Sequence, residues 1–212
     1  MKYLKMLGLA ALAVMGLMAI VGAGTASATK LCEQNTEAGC TSHVLKGWTL
    51  AFEHEGTTTL TGPFGEVIDK CTLSLIEGST TTTGSATETV KVNITTLAFG
   101  NCDHPITSQN TSGISALGTL EVHKIASSKN GTVTSNGTTV TIPETIFGTC
   151  HFLTSNTDIG TLRGKDDASN TTPGTPTLLI SAKIPSENCG FSGTWEGSYS
   201  YTGTTPFNVS AS

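Results

Sequence analysis

Chemistry in this chain would have to come from six cysteines, five histidines and a scatter of carboxylates. The cysteines are Cys32, Cys40, Cys71, Cys102, Cys150 and Cys189. None stands in the CxxC spacing that structural zinc sites use, so a zinc site is the weaker reading. An even count behind an export leader reads as a disulfide framework. Spacing alone leaves the connectivity open, and the expectation is sequential pairing: Cys32–Cys40, Cys71–Cys102 and Cys150–Cys189. The histidines are His43, His54, His104, His123 and His151, with no HxH or HExxH among them. A blue-copper site would call for a methionine ligand, yet Met1, Met6, Met15 and Met18 all precede residue 29. A copper site on an N-terminal histidine is excluded if the chain is processed to Thr29. Scattered surface histidines are the expectation, with no cofactor and no metal.

Carboxylates carry little more. Glycoside hydrolysis needs two of them facing each other across a sugar cleft. Glu53, Glu55, Glu66, Asp69, Glu121 and Glu196 are the candidates. Glu121 and Glu196 alternate with apolar neighbours and are expected to face water. Sugar clefts are also lined with exposed aromatics. Beyond the phenylalanines, residues 29–212 offer only Trp48, Trp195, Tyr199 and Tyr201. Of these, Trp195, Tyr199 and Tyr201 are the candidate ligand-surface residues, set against core packing. No GxSxG marks a nucleophilic serine. Asp166-Asp167, with Asp158 and Asn170, could offer oxygens to Ca²⁺, but the spacing is not that of an EF-hand loop. Sequons at Asn93, Asn110, Asn130, Asn136, Asn170 and Asn208 follow from the abundance of threonine, and two of them lie in Asn-Gly turns.

The first 28 residues read as a removable leader. Lys2 and Lys5 precede an apolar run from Met6 to Val21, and Ala26-Ser27-Ala28 is a small-residue cleavage signal. A retained anchor is the rival reading, since the run is almost long enough to span a bilayer. A lipid-modified Cys32 is disfavoured by Thr29-Lys30-Leu31 before it. Without the leader, nine basic residues stand against 16 acidic, a net charge of −7. Such a chain repels phosphate backbones, so nucleic acid is excluded as a partner. No basic amphipathic helix points to a membrane surface.

The rest, residues 29–212, is rich in Thr, Ser and Gly and alternates apolar with polar residues, which is strand composition. Residues 29–46 read as an irregular cap stapled by its own two cysteines. Trp48, Leu50 and Phe52 start the first strand, with Thr57–Thr61 as its hairpin partner. Val67–Ile76 is a strand with Cys71, Leu73 and Leu75 on one face. Ser79–Ser85 is a loop or a Thr-rich edge. Val90, Val92 and Ile94 open a strand that continues through Leu97 and Phe99 to Cys102, and Asp103–Ser115 is a surface loop. Leu117–Ile125 follows, and then short strands meander through the Asn130-Gly131 and Asn136-Gly137 turns. Further strands are expected at Ile146–Leu153, Ile159–Arg163, Leu178–Ile184, Trp195–Tyr201 and Phe207–Val209. Ten to twelve strands with no helix predict an all-β, disulfide-stapled antiparallel β-sandwich or jelly roll. One domain over 29–212 is preferred to a split near Ser108–Ser115.

The signal ending GAGTASA before Leu31-Cys32, LAFGNC followed by GTLEVH at 118–123, and WEGSYSYTGTTPFNV at 195–209 together carry a resemblance. On them, the chain resembles a group of exported proteins of high-GC Gram-positive soil bacteria to which no activity is assigned. The resemblance implies export and a cysteine-paired β-fold, and it transfers no functional residue. The sequence therefore points to a secreted or envelope-associated, non-enzymatic structural, adhesive or binding protein. Its expected partner is a cell-wall or extracellular polysaccharide or a protein. A carbohydrate-active enzyme or sugar-binding module is the alternative. An inhibitor presenting Asp103–Ser115 to a secreted hydrolase is a third reading.

Overall fold

Alternating apolar residues form strands because successive side chains of an extended chain point to opposite faces. The computed structural model describes residues 29–36, 39–85, 87–104, 107–108, 117–145 and 148–211. Among them every regular element is a strand. The expected leader at 1–28 and most of the Asp103–Ser115 loop lie outside the described residues. The strands are β1 (Lys30–Thr36), β2 (Gly39–His43), β3 (Thr49–Thr61), β4 (Val67–Thr80), β5 (Val90–Cys102), β6 (Thr107–Ser108) and β7 (Thr119–Lys124). They continue with β8 (Gly131–Asn136), β9 (Thr139–Thr145), β10 (Gly148–Leu153), β11 (Thr157–Arg163), β12 (Thr177–Pro185), β13 (Ser192–Tyr201) and β14 (Asn208–Ser210).

Eight of these, β3, β4, β5, β7, β8, β11, β12 and β13, form an antiparallel meander that closes on itself. The closing seam joins β13 to β3, from Thr194 opposite Thr61 to Tyr201 opposite Phe52. The molecule is thus a closed barrel rather than the expected sandwich or jelly roll. Alternation alone cannot separate these folds, because one apolar face per strand serves a barrel interior and a sandwich core equally. The strands outside the barrel form two small sheets, β14-β1-β2 and β10-β9-β6.

The first small sheet lies where β4 and β7 end. Thr80 Oγ1 donates to the Leu45 carbonyl at 2.6 Å. The Lys124 amide donates to Thr29 Oγ1 at 2.9 Å, and Lys129 O accepts from Val209 N at 2.9 Å. Leu31, Val44, Phe207 and Val209 are buried there. The second sheet lies where β8 ends and β11 begins. Gly137 N donates to Thr154 O, and Ile142 and Phe152 join the apolar interior. Each small sheet therefore covers one end of the barrel.

Several local expectations are corrected. The supposed cap at 29–46 is a paired hairpin of β1 and β2, with bulges between Cys32 and Asn35. Trp48–Glu53 and Thr57–Thr61 are not hairpin partners. Apart from Trp48, they belong to one long strand, β3, bent at Gly56, whose φ of 83° suits glycine. On β4 the inward face carries Ser74, Ile76, Gly78 and Thr80. Leu73, which is 57% exposed, and Leu75 point outward, against the expected apolar face. On β5 one extra residue, Thr95, shifts the phase, so Val90, Val92 and Ile94 face inward and then Leu97 and Phe99 do. Asn136-Gly137 does not join paired strands. With Gly137 at φ 73°, it turns the chain out of the barrel from β8 into β9.

The disulfides pair sequentially, Cys32–Cys40, Cys71–Cys102 and Cys150–Cys189. The first staples the β1–β2 hairpin. The second locks β4 to β5 at directly opposed positions. The third ties β10 to the β12–β13 connection. Cys71 and Cys102 are 31 residues apart. In the chain-entropy account, a loop of that length is worth about 3–4 kcal/mol. The double variant Cys71→Ala/Cys102→Ala is expected to lose stability of that order in urea denaturation, with a larger m because the released unfolded chain exposes more surface. A loss under 1 kcal/mol would mean that the barrel registers itself without the staple.

Candidate functional site

Closing a sheet of this size leaves an interior that side chains must fill. Here they do not fill it completely. A cavity of about 80 Å³ lies toward the β9–β10 end, walled by Ile76, Leu97, Phe99, Ile159, Ile180 and Trp195 among others. A second void of about 30 Å³ lies toward the opposite end, between Leu50, Phe52, Val92, Val133 and Leu178. Ile76 and Leu120 border both. At about 24 cal/mol per Å³, an empty void of the larger size costs about 2 kcal/mol. That is a substantial fraction of an ordinary domain's stability.

Two hydroxyl clusters interrupt the apolar lining. On β13 the inward residues are Trp195, Gly197, Tyr199 and Tyr201. The Tyr199 hydroxyl accepts from Trp195 Nε1 at 3.3 Å and shares a hydrogen bond of 3.1 Å with Ser74 Oγ on β4. This bond passes inside β3, the strand between them. Gly197 is required there, because a Cβ would come within 2.7 Å of Thr58 and 3.0 Å of the Tyr199 ring. Burial pushes the Tyr199 phenol up from its ordinary value, so it serves as a neutral hydrogen-bonding group and not as a base. On the far wall Ser135 Oγ lies 3.0 Å from both Thr138 Oγ1 and Thr154 Oγ1.

The wall itself is broken beside Tyr199. Pairing of β3 with β4 lapses between Glu53–Leu75 and Thr58–Cys71. Pairing with β13 skips between Ser198–Glu55 and Glu196–Thr59. A groove of about 560 Å³ opens on this break, lined by Glu53, His54, Leu73, Ser74, Leu75 and Phe99 among others. His54 packs edge-on to Tyr199 at 6.4 Å, and Phe99 packs edge-on to Trp195 at 5.0 Å.

The three aromatics read as ligand-surface candidates are therefore interior residues. Trp195, Tyr199 and Tyr201 are 7%, 0% and 6% exposed, because the odd positions of β13 point into the barrel. They form no exposed sugar platform. The Ca²⁺ candidates are dispersed: Asp158 lies near the start of β11 and Asp166 beyond its end. Asp166 accepts from Lys129 at 2.9 Å and from Asn208 at 2.8 Å. Asp167 accepts from Asn130, from Ser169 Oγ and, at 2.8 Å, from the Ser169 amide. Among the described residues, one group places three potential ligand atoms together, Asp69, Cys71 and Cys102, and its sulfurs are joined as a disulfide. Asp69 is fully buried, accepting from the amides of Lys70 at 2.8 Å and His104 at 3.0 Å. Glu121 pairs with Lys91 at 2.9 Å on the outer surface, and Glu196 is exposed. Sequence reasoning missed His54, Ser74 and Phe99, because a wall break formed by a bulge leaves only Gly56 as its signal.

Compared with known proteins, the chain matches no family model, no curated protein and no solved structure.

Two outcomes test this geometry. Tyr199→Phe leaves Ser74 Oγ and Trp195 Nε1 without their partner and is expected to cost about 1–3 kcal/mol in chemical denaturation. A neutral result would show that the hydroxyl does not brace the wall. For Asp167, the Ser169 hydroxyl and amide hold the carboxyl at about 2, below its ordinary 3.8. Its contribution is present above 3.8 and is lost as pH falls through about 2. Asp167→Asn should therefore flatten stability across that acid range, measured by denaturation at stepped pH. An unchanged acid slope would contradict the assignment.

Proposed function

We propose that this is an exported, non-enzymatic binding protein whose barrel interior takes a small apolar molecule. The observation that carries the reading is the apolar cavity of about 80 Å³ held open inside a barrel covered at both ends. Apolar cavities stay dry, and one of about 150 Å³ accepts benzene. At about half that volume, this one has room for xenon as it stands and for benzene once Phe99 or Leu97 turns aside. A bound apolar molecule would recover the dispersion contacts that the empty lining lacks. Three disulfides fit an oxidising, extracellular compartment. The leader at 1–28 and the resemblance to exported soil-bacterial proteins support the same location. The sugar-binding alternative loses its support with the aromatics turned inward.

The test uses benzene and xenon on the oxidised protein, followed by methyl NMR of Ile76, Ile159 and Ile180 and by thermal denaturation. Benzene at 100 times its Kd should add about 2.7 kcal/mol of stability. Ile159→Phe, which fills the void, should abolish both the shifts and the stabilisation. Absence of methyl shifts with either probe would overturn the reading.

A further inference from the structure

The wall beside the same interior is interrupted. Both ends of the barrel are covered by three-stranded sheets, each held by a disulfide. Within the ladders of the wall, the longest interruption between paired residues is at β3. There residues 54–57 face residues 72–74 across one seam, and residues 56–58 face Gly197 alone across the other. The groove at this lapse is lined from both sides of the wall. Leu73, Leu75 and Ala98 belong to the outer face, while His54, Ser74 and Phe99 stand in the inward phase of their strands. Phe99 lines the groove and the inner cavity alike. It is half-buried, packs on Trp195 and is followed by Gly100, which adds no side chain beside it.

The hydrogen bonding beside Phe99 is incomplete in a particular way. Tyr199 and Ser74 together carry two O–H protons, and Tyr199 already accepts from Trp195. One proton serves the bond between the two hydroxyls. The other has no acceptor among the described residues, and Ser74 lines the groove. An oxygen acceptor arriving there would complete the set. A carboxylate would meet Glu53 at the rim and exchange water for a single neutral donor, which does not compensate an ion's desolvation. An ammonium would be held by the Glu53 carboxylate at the rim, since its desolvation in the apolar cavity would go uncompensated.

We propose, building on the apolar-ligand reading above, that the break in β3 is a side portal gated by Phe99, and that the site takes a small uncharged amphiphile of the ketone class. Its carbonyl accepts from the Ser74–Tyr199 pair, and its hydrocarbon part occupies the cavity.

The experiment compares benzene and 2-hexanone on the oxidised protein by NMR titration and exchange spectroscopy. Phe99→Ala, with Phe99→Leu as the milder variant, is expected to raise the benzene exchange rate tenfold or more. Val209→Ala, which loosens the opposite end sheet without lining the cavity, should leave that rate within twofold. Ser74→Ala should weaken 2-hexanone about tenfold and leave benzene unchanged, and hexanoate should not compete. Equal acceleration by Val209→Ala, or none by either Phe99 variant, would overturn the portal. A Ser74→Ala loss shared by benzene, or no loss at all, would overturn the ketone assignment. Failure of benzene to bind the unaltered protein would instead sink the apolar-ligand reading on which both rest.

Discussion

The pairing of β13 with β3 is the constraint on which the rest of the molecule depends. It joins the last barrel strand to the first across some 140 residues of chain, a long loop to close before any contact rewards it. Without it the meander would be an open sheet with two exposed edges and an apolar face in water. With it, every strand of the wall has two neighbours and one side of every strand is interior. The seam's strand β3 is interrupted in both of its ladders. Gly56 bends β3 away, and Gly197 leaves room for Thr58 and the Tyr199 ring. Closure and the wall break are thus properties of the same strand.

The end sheets follow from closure. A barrel of this size leaves its two mouths open, and the apolar residues near them need cover. β1, β2 and β14 bring Leu31, Val44 and Val209 over one mouth, and β9 with β10 bring Ile142 and Phe152 over the other. Two disulfides hold these covers, Cys32–Cys40 within the first and Cys150–Cys189 between the second and the β12–β13 connection. The third, Cys71–Cys102, sits in the wall where β4 and β5 begin and end. The largely apolar lining of the interior offers water few partners, so an unfilled volume there is dry and its cost is set by lost packing rather than by hydration.

Polar groups inside this wall act as braces. Tyr199 is fully buried and spends its hydroxyl on Ser74 and Trp195, linking β13 to β4 beneath the irregular strand. Ser135, Thr138 and Thr154 do the same on the opposite wall, where the chain leaves the barrel for β9 and returns from β10. Neutral hydroxyls suit this task because their mutual hydrogen bonds offset desolvation without placing a charge in an apolar interior.

Much of this was legible without coordinates. Strand alternation located most of the strands, including the alternating row of Trp195, Tyr199 and Tyr201 without deciding which way it faces, and an even cysteine count pointed to three bridges. Residue periodicity reports which face of a strand is apolar, and that is a local property. It was misleading on β4, where Leu73 and Leu75 look like core and lie outside while Ser74 faces in. It was silent about whether the sheet closes, because a sandwich and a barrel ask the same pattern of each strand. The sequence by itself determined the all-β class and the cysteine framework, since these depend on side-chain type and spacing. Only the tertiary structure decided the barrel, the void within it and the meeting of His54, Ser74, Phe99 and Tyr199, because those follow from which distant strands pair and where one of them bulges.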